Sequence, residues 1–235
     1  MSRRVKDDFE KLLGFLDSYS LKPSIKNTEF QTFLSMYHKR YYAYLTFVAE
    51  LSQYKSKPLL SGLNNSQYNF YSESCSDCGI ALFDSVNGNY KGSRLLLRSS
   101  IENFMKAVCL DEDTTIDQEK SVYALFDRAK VIPFFAEETT KNLFDVIHQH
   151  YKDLCKDVHT ATINNMMHLS ALNTFPSFDA AQAKSVAVVV LSLISAYVTL
   201  LSLKYNAFYH TIYYENKDII QTTLIKEYAN AINNI

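Results

Sequence analysis

Apolar side chains recur along most of this chain at steps of three and four, the spacing of one helix face. Residues 5–20 form the first such pattern, with Val5, Phe9, Leu12, Leu13 and Leu16 on one side, and Lys22-Pro23 ends it. Thr28 with Gln31 three residues on reads as a capping-box start. The helix it opens runs to about Tyr54 and marks its buried side with Phe30, Phe33, Leu34, Tyr37, Tyr41, Tyr44, Leu45, Val48 and Leu51. After a loop at 56–65, a third helix over 66–86 offers Phe70, Ile80, Leu82 and Phe83 to the core. Asn87-Gly88-Asn89 is turn chemistry, because Gly and Asn tolerate the left-handed backbone. The next helix follows directly, with Leu97, Ile101, Phe104, Met105 and Val108 on one face. Two apolar-faced helices joined by so tight a turn predict an antiparallel pair.

Residues 111–115 are a polar break, followed by a short helix over about 117–130 that carries Val122, Leu125 and Phe126. Pro133 interrupts, and a helix over about 137–158 buries Leu143, Ile147, Tyr151, Leu154 and Val158. Residues 159–178 read as irregular or as short helical turns. Asp179 with Gln182 then opens a long apolar helix. Its segment 185–203 carries no charge and lies between Lys184 and Lys204. That length approaches a membrane span. A stripe of Ser185, Ser192, Ser195, Thr199 and Ser202 runs along it, and such small residues let another helix approach closely. A helix apolar all round is also what the core of a helical domain needs, and burial within protein is the expectation here. Asn216 is the expected break before a C-terminal helix over 217–234, with Ile219, Ile220, Ile225, Tyr228 and Ile232 facing inward. The pattern predicts an all-α fold, a compact helical bundle around a long central hydrophobic helix, in a single domain over 1–235.

Composition agrees. Gly (5) and Pro (4) are too few for a turn-rich all-β fold, and 47% hydrophobic residues can fill a sizeable core. A net charge of −1 makes the whole chain no electrostatic magnet for nucleic acid, so any such role needs a local basic patch. The four cysteines form no disulfide framework, which suits a reducing cytoplasm. The opening MSRRVKDDFEKLL has no apolar signal core, so a cytoplasmic location is the expectation.

Candidate chemistry is sparse. Cys75 and Cys78 form a CxxC without the strand context of a redox motif or further ligands at zinc spacing. His148 and His150 point in different directions on one helix and read as surface residues. No HExxH, P-loop, GxGxxG or GxSxG occurs, and no metal or cofactor is expected. Arg94, Arg98, Glu102 and Lys106 climb one side of the helix after Gly88 at steps of four. Such a ladder presents a polar site to a groove or forms a solvated face of ion pairs, and spacing leaves both open. The helical register fails just after His159, which places that histidine at a helix C-terminus, with Lys152 about two turns earlier on the same side. A histidine and a cation so spaced can flank a phosphodiester: one moves a proton, the other steadies developing charge. A histidine that only caps the helix is the simpler alternative.

Two blocks together resemble the HEPN superfamily, compact helical domains of bacterial defence and toxin–antitoxin systems. In GNYKGSRLLLRSSIENFMKAV a small-residue turn leads into an Arg-Ser-x-x-Glu stretch, here Arg98, Ser99 and Glu102. The segment Tyr151-x-x-Leu154-Cys155-x-x-Val158-His159 is similar to the helix that carries the family's RNase motif, an Arg, four to six residues and a His. His159 matches, Lys152 takes the Arg position, and Asp153 is the polar neighbour. The likeness covers about residues 66–205, with helices 5–54 and 217–234 packed on that core. Lys in place of Arg departs from the pattern, because a point charge replaces a planar fork.

The resemblance implies a metal-independent endoribonuclease, with His159 and Lys152 catalytic and Arg98, Glu102, Tyr151, Asp153 and Lys156 in support. It implies RNA as substrate, a homodimer that joins two motif helices in one site, and a protein partner from the same defence or antitoxin system. Relatives without catalysis imply the alternative of a silent helical interaction or regulatory subunit. A membrane-associated helical protein is a third reading and rests on residues 185–203 alone.

Overall fold

A computed structural model describes residues 3–54, 60, 63–158 and 172–233. The fold is all-α, with no strand among the described residues. Helix α1 spans Arg3–Ser18, α2 Lys22–Ile25, α3 Thr28–Tyr54, α4 Asn65–Asn87 and α5 Tyr90–Cys109. After a 3-10 turn at Ile116–Gln118 come α6, Val122–Ala129, and a second such turn at Pro133–Phe135. Helix α7 spans Glu138–Val158 and α8 Ala180–Lys204. The chain closes with α9 (Asn206–Tyr209), α10 (Tyr214–Gln221) and α11 (Ala229–Asn233).

Local chemistry sets the helix starts. Asn64, Asn89, Ser121 and Asp179 each accept a backbone N–H three residues on, and so satisfy one orphan donor of α4, α5, α6 and α8. Asp179 acts through the N–H of Gln182, as the sequence predicts. Thr28 does not cap α3. The Asn27 side chain accepts from the N–H of Phe30, and Gln31 reaches back to the carbonyl of Ile25. Asn27 sits one residue ahead of the hydroxyl that the sequence favours, and its amide has the longer reach.

Helices α4 and α5 are the antiparallel pair that the turn predicts. Gly88 stands at φ +87° and forms the turn. Beyond it, partners across the pair diverge steadily: Ser85 with Ser93, Cys78 with Ser100, Asp77 with Asn103, and Gln67 with the carbonyl of Ala107. These contacts correct one expectation. Ile80 and Phe83 are exposed, and α4 instead buries Tyr71, Ser74, Cys75, Asp77, Cys78, Ala81 and Ser85. The buried side of α4 is mostly small and hydroxyl-bearing, and small side chains let its backbone close on α5, where Ser74, Cys78 and Ser85 find partners.

The centre of the bundle is aromatic. Phe104 of α5 stacks on Tyr197 of α8, with ring centroids 3.8 Å apart, and Tyr44 and Tyr71 pack edge-on or tilted around them. Phe30 meets Phe178 and Tyr44 meets Tyr197, so α3 and α8 run side by side in the same direction. Helix α8 is buried on all sides from Leu193 to Ser202, and 72% of its most apolar window lies inside the protein. It alone, among the described residues, has the length and apolarity of a membrane span. Its small-residue stripe meets other parts of the fold: Ser185 accepts from Arg94, and Thr199 accepts from the backbone N–H of Ile225. Lys204, with 7% of its side chain exposed, ends α8 in an ion pair with Asp111 at 2.9 Å.

Two more expectations fail. Helix α1 exposes Phe9, Leu13 and Leu16, so its apolar face is not core. The break after α8 falls at Tyr205, with a second at 210–213, and Asn216 lies inside α10. Asn216 turns its amide inward, to the Glu50 carboxylate, and this bond ties α10 to α3.

Candidate functional site

The charged ladder of α5 packs against neighbouring elements. Its four residues are half-buried, and three reach other elements. Arg94 donates to Gln182 and Ser185 of α8, Arg98 donates to Tyr151 of α7, and Lys106 donates to the carbonyl of Asp117. The ladder lashes α5 to its neighbours.

The Arg98 rung joins the two blocks that carry the family resemblance. Arg98 Nε donates both to Glu102 Oε1 and to the Tyr151 hydroxyl, each at 3.2 Å. The guanidinium carbon lies 5.3 Å from the centroid of the Tyr151 ring, within cation–π range. Burial, then Cys155 and Glu102 nearby, hold the Tyr151 hydroxyl well above the ordinary phenol value, so it stays protonated. Tyr151 is buried, and the rotation of one residue along α7 brings Lys152 to the exposed side. Tyr151 thus faces Arg98 of α5 together with the buried Leu143, Phe144, Ile147 and Leu154 of α7, while Lys152 leaves the helix toward solvent.

Around Lys152 the charges are mixed. Lys156 donates to Asp153 at 2.7 Å, and Gln149 donates to the same carboxylate at 3.0 Å. These bonds, that of Lys156 first, hold the Asp153 carboxyl below the usual range. Asp153 thus offsets Lys156 rather than serving as an independent polar group. Two to three turns back, Lys141 and Asp145 pair at 2.7 Å. His159 lies outside the described residues.

His148 and His150 are not surface residues as expected; both are half-buried. His148 stacks on Phe126 with centroids 4.3 Å apart and planes 14° from parallel. Burial, then Lys152 one turn on, lowers its pKa, and burial also lowers that of His150. Cys75 and Cys78 are buried, and desolvation pushes the Cys75 thiol up to about 12 and Cys78 higher still. Buried thiols held protonated in this way suit packing rather than reactivity. Among the described residues, no three His, Cys, Asp or Glu side chains gather in a way that could hold a metal ion.

No protein-family model, no curated protein and no solved structure matches the chain.

Proposed function

We propose that the chain is a HEPN-like effector of a bacterial defence or toxin–antitoxin system, and that it cleaves RNA without a metal. In this reading His159 moves the proton of the attacking ribose 2′-hydroxyl, and Lys152 faces the scissile phosphate. What supports it is the contact between Arg98 and Tyr151, 53 residues apart. It brings the Arg-Ser-x-x-Glu block and the motif helix together and leaves Lys152 exposed beside them. One lysine, with Lys156 offset by Asp153, is electrostatically thin for a phosphodiester. The reading therefore requires a homodimer that sets two α7 helices across one site. His159→Ala is expected to abolish cleavage of a mixed RNA substrate and growth inhibition while circular dichroism is unchanged, and EDTA is expected to have no effect. Cleavage by His159→Ala at the wild-type rate ends the catalytic reading.

A second reading, a silent interaction subunit, is favoured by the apolar groove between α1 and the end of α4. Phe15, Leu16, Tyr19, Phe83, Leu172 and Phe175 line about 350 Å³, and Phe83 is 62% exposed. Exposed apolar surface of this kind suits a protein partner. Under this reading Phe83→Asp impairs the biological effect, while His159→Ala leaves it intact.

A further inference from the structure

A different groove, on the far side of the α3–α4 contact from α5, carries a group that the fold leaves unanswered. It encloses about 770 Å³, within the range of small-ligand sites. Tyr41, Tyr42 and Tyr68 contribute aromatic wall, Leu45 and Val48 apolar wall, and Glu50 lines it next to Asn216. Glu50 is 4% exposed. Its Oε1 accepts from the Asn216 amide, and its Oε2 is buried with no hydrogen-bond partner.

A carboxylate oxygen without a donor is costly inside a protein, because the lost hydration is not replaced. Folding does not require an acid here. Glutamine has the same shape and would keep the Asn216 bond. The tyrosines add a second argument. Ring faces are electronegative and attract cations, most strongly where water is displaced. Tyr42 stacks on His38, with centroids 5.7 Å and planes 10° apart.

We propose that this groove binds a small organic ammonium ion, with its charged head against Glu50, its stem against Leu45 and Val48, and the tyrosine rings around it. An amine head supplies up to three N–H donors to an acceptor that now has one, and an alkyl stem suits the apolar wall. No residue of α7 lines the groove, so the proposal stands or falls apart from the RNA reading.

The test uses the full chain and 1,4-diaminobutane as probe, followed by calorimetry and by thermal unfolding in moderate salt. Saturable binding and a rise in Tm are expected for the wild type. Glu50→Gln is expected to weaken binding about tenfold or more, the loss that follows removal of a charge-assisted hydrogen bond. The same substitution is expected to leave Tm without the probe unchanged, because it keeps the side-chain shape and the Asn216 bond. Tyr42→Leu, at a half-exposed position that folding tolerates, is expected to weaken binding without lowering Tm. An uncharged diol of equal length is expected not to bind. Absence of saturable binding overturns the proposal, as does equal affinity in Glu50→Gln or a fall in Tm of that variant without the probe.

Discussion

Arg98 Nε donates to the Tyr151 hydroxyl at 3.2 Å, and this bond joins α5 to the buried face of α7. Tyr151→Phe keeps the ring and its cation–π contact but leaves Arg98 with Glu102 alone. A stability loss of about 0.5–1.5 kcal/mol by urea denaturation is expected, the worth of one hydrogen bond. Arg98→Ala removes the guanidinium that contacts Tyr151 of α7. If α7 is the working face, that variant loses far more activity than stability. Equal loss of both would make the contact purely structural.

Gly88 permits the tight turn in two ways. Its φ of +87° is a backbone state that L side chains rarely adopt, and a Cβ there would lie 2.5 Å from the carbonyl oxygen of Ser177. Gly88→Ala meets the left-handed penalty of about 1–2 kcal/mol and, in addition, a clash with backbone that a flexible side chain could not relieve. Denaturation midpoints are expected to fall by more than that penalty alone accounts for. Gly79→Ala makes the contrast: its Cβ would meet the Tyr41 side chain, which can swing aside, so a smaller loss is expected.

Much of this fold is legible in the sequence where apolar size and spacing agree. Leu97, Ile101, Phe104, Met105 and Val108 of α5 are all buried, and the Asp179 cap and the Gly88 turn stand where their chemistry puts them. Size misleads where small residues do the packing. In α4 the large Phe83 faces outward while Ser74, Cys78 and Ala81 form the interface, because contact with α5 rewards close backbone approach over side-chain volume. In α1 a regular apolar face exists with no core behind it. The Arg98–Glu102 pair follows from a step of four; the reach of Arg98 to Tyr151 does not, since it depends on how α5 and α7 pack. The one sequence signal for the α3–α4 groove is Glu50 itself, a glutamate three residues after Phe47 and one before Leu51 on an otherwise buried arc.

Ser195 lies on the stripe of α8 with 9% of its surface exposed. Ser195→Leu adds two heavy atoms to a closely packed site, and a loss of about 1–3 kcal/mol is expected from overpacking. Were the stripe turned to water or lipid, leucine would cost nothing. An unchanged Tm would contradict the packing described for α8.

Acid is expected to weaken the fold partly through His148. Burial lowers its folded-state pKa below the ordinary 6.5, so the unfolded chain binds the proton more tightly. Stability from this group is therefore complete above 6.5 and declines as pH falls through 6.5 toward the folded-state value. His148→Phe keeps a flat ring against Phe126 and removes the proton. The variant is expected to lose less stability than the wild type between pH 7 and pH 5, as read from urea midpoints across that range. His150, also lowered by burial, contributes the same sign in both proteins and cancels in the difference. Parallel pH profiles would mean that His148 titrates as it does in the unfolded chain.

Lys152 gives the sharpest test of the motif, because it stands where the family resemblance calls for arginine. The side chain is exposed, so its replacement should leave stability unchanged. Arginine offers two phosphate oxygens a planar pair of donors, whereas lysine offers a single point charge. If Lys152 faces the scissile phosphate, Lys152→Arg retains or raises RNA cleavage and Lys152→Ala lowers it, with unfolding midpoints unchanged in both. The order arginine, lysine, alanine is then a statement about donors, since the first two carry equal charge. If lysine and arginine are equal and alanine is lower, Lys152 supplies charge to a site that something else positions. If all three cleave alike, Lys152 stands outside the site, and the position that matches the family's arginine is filled without being used.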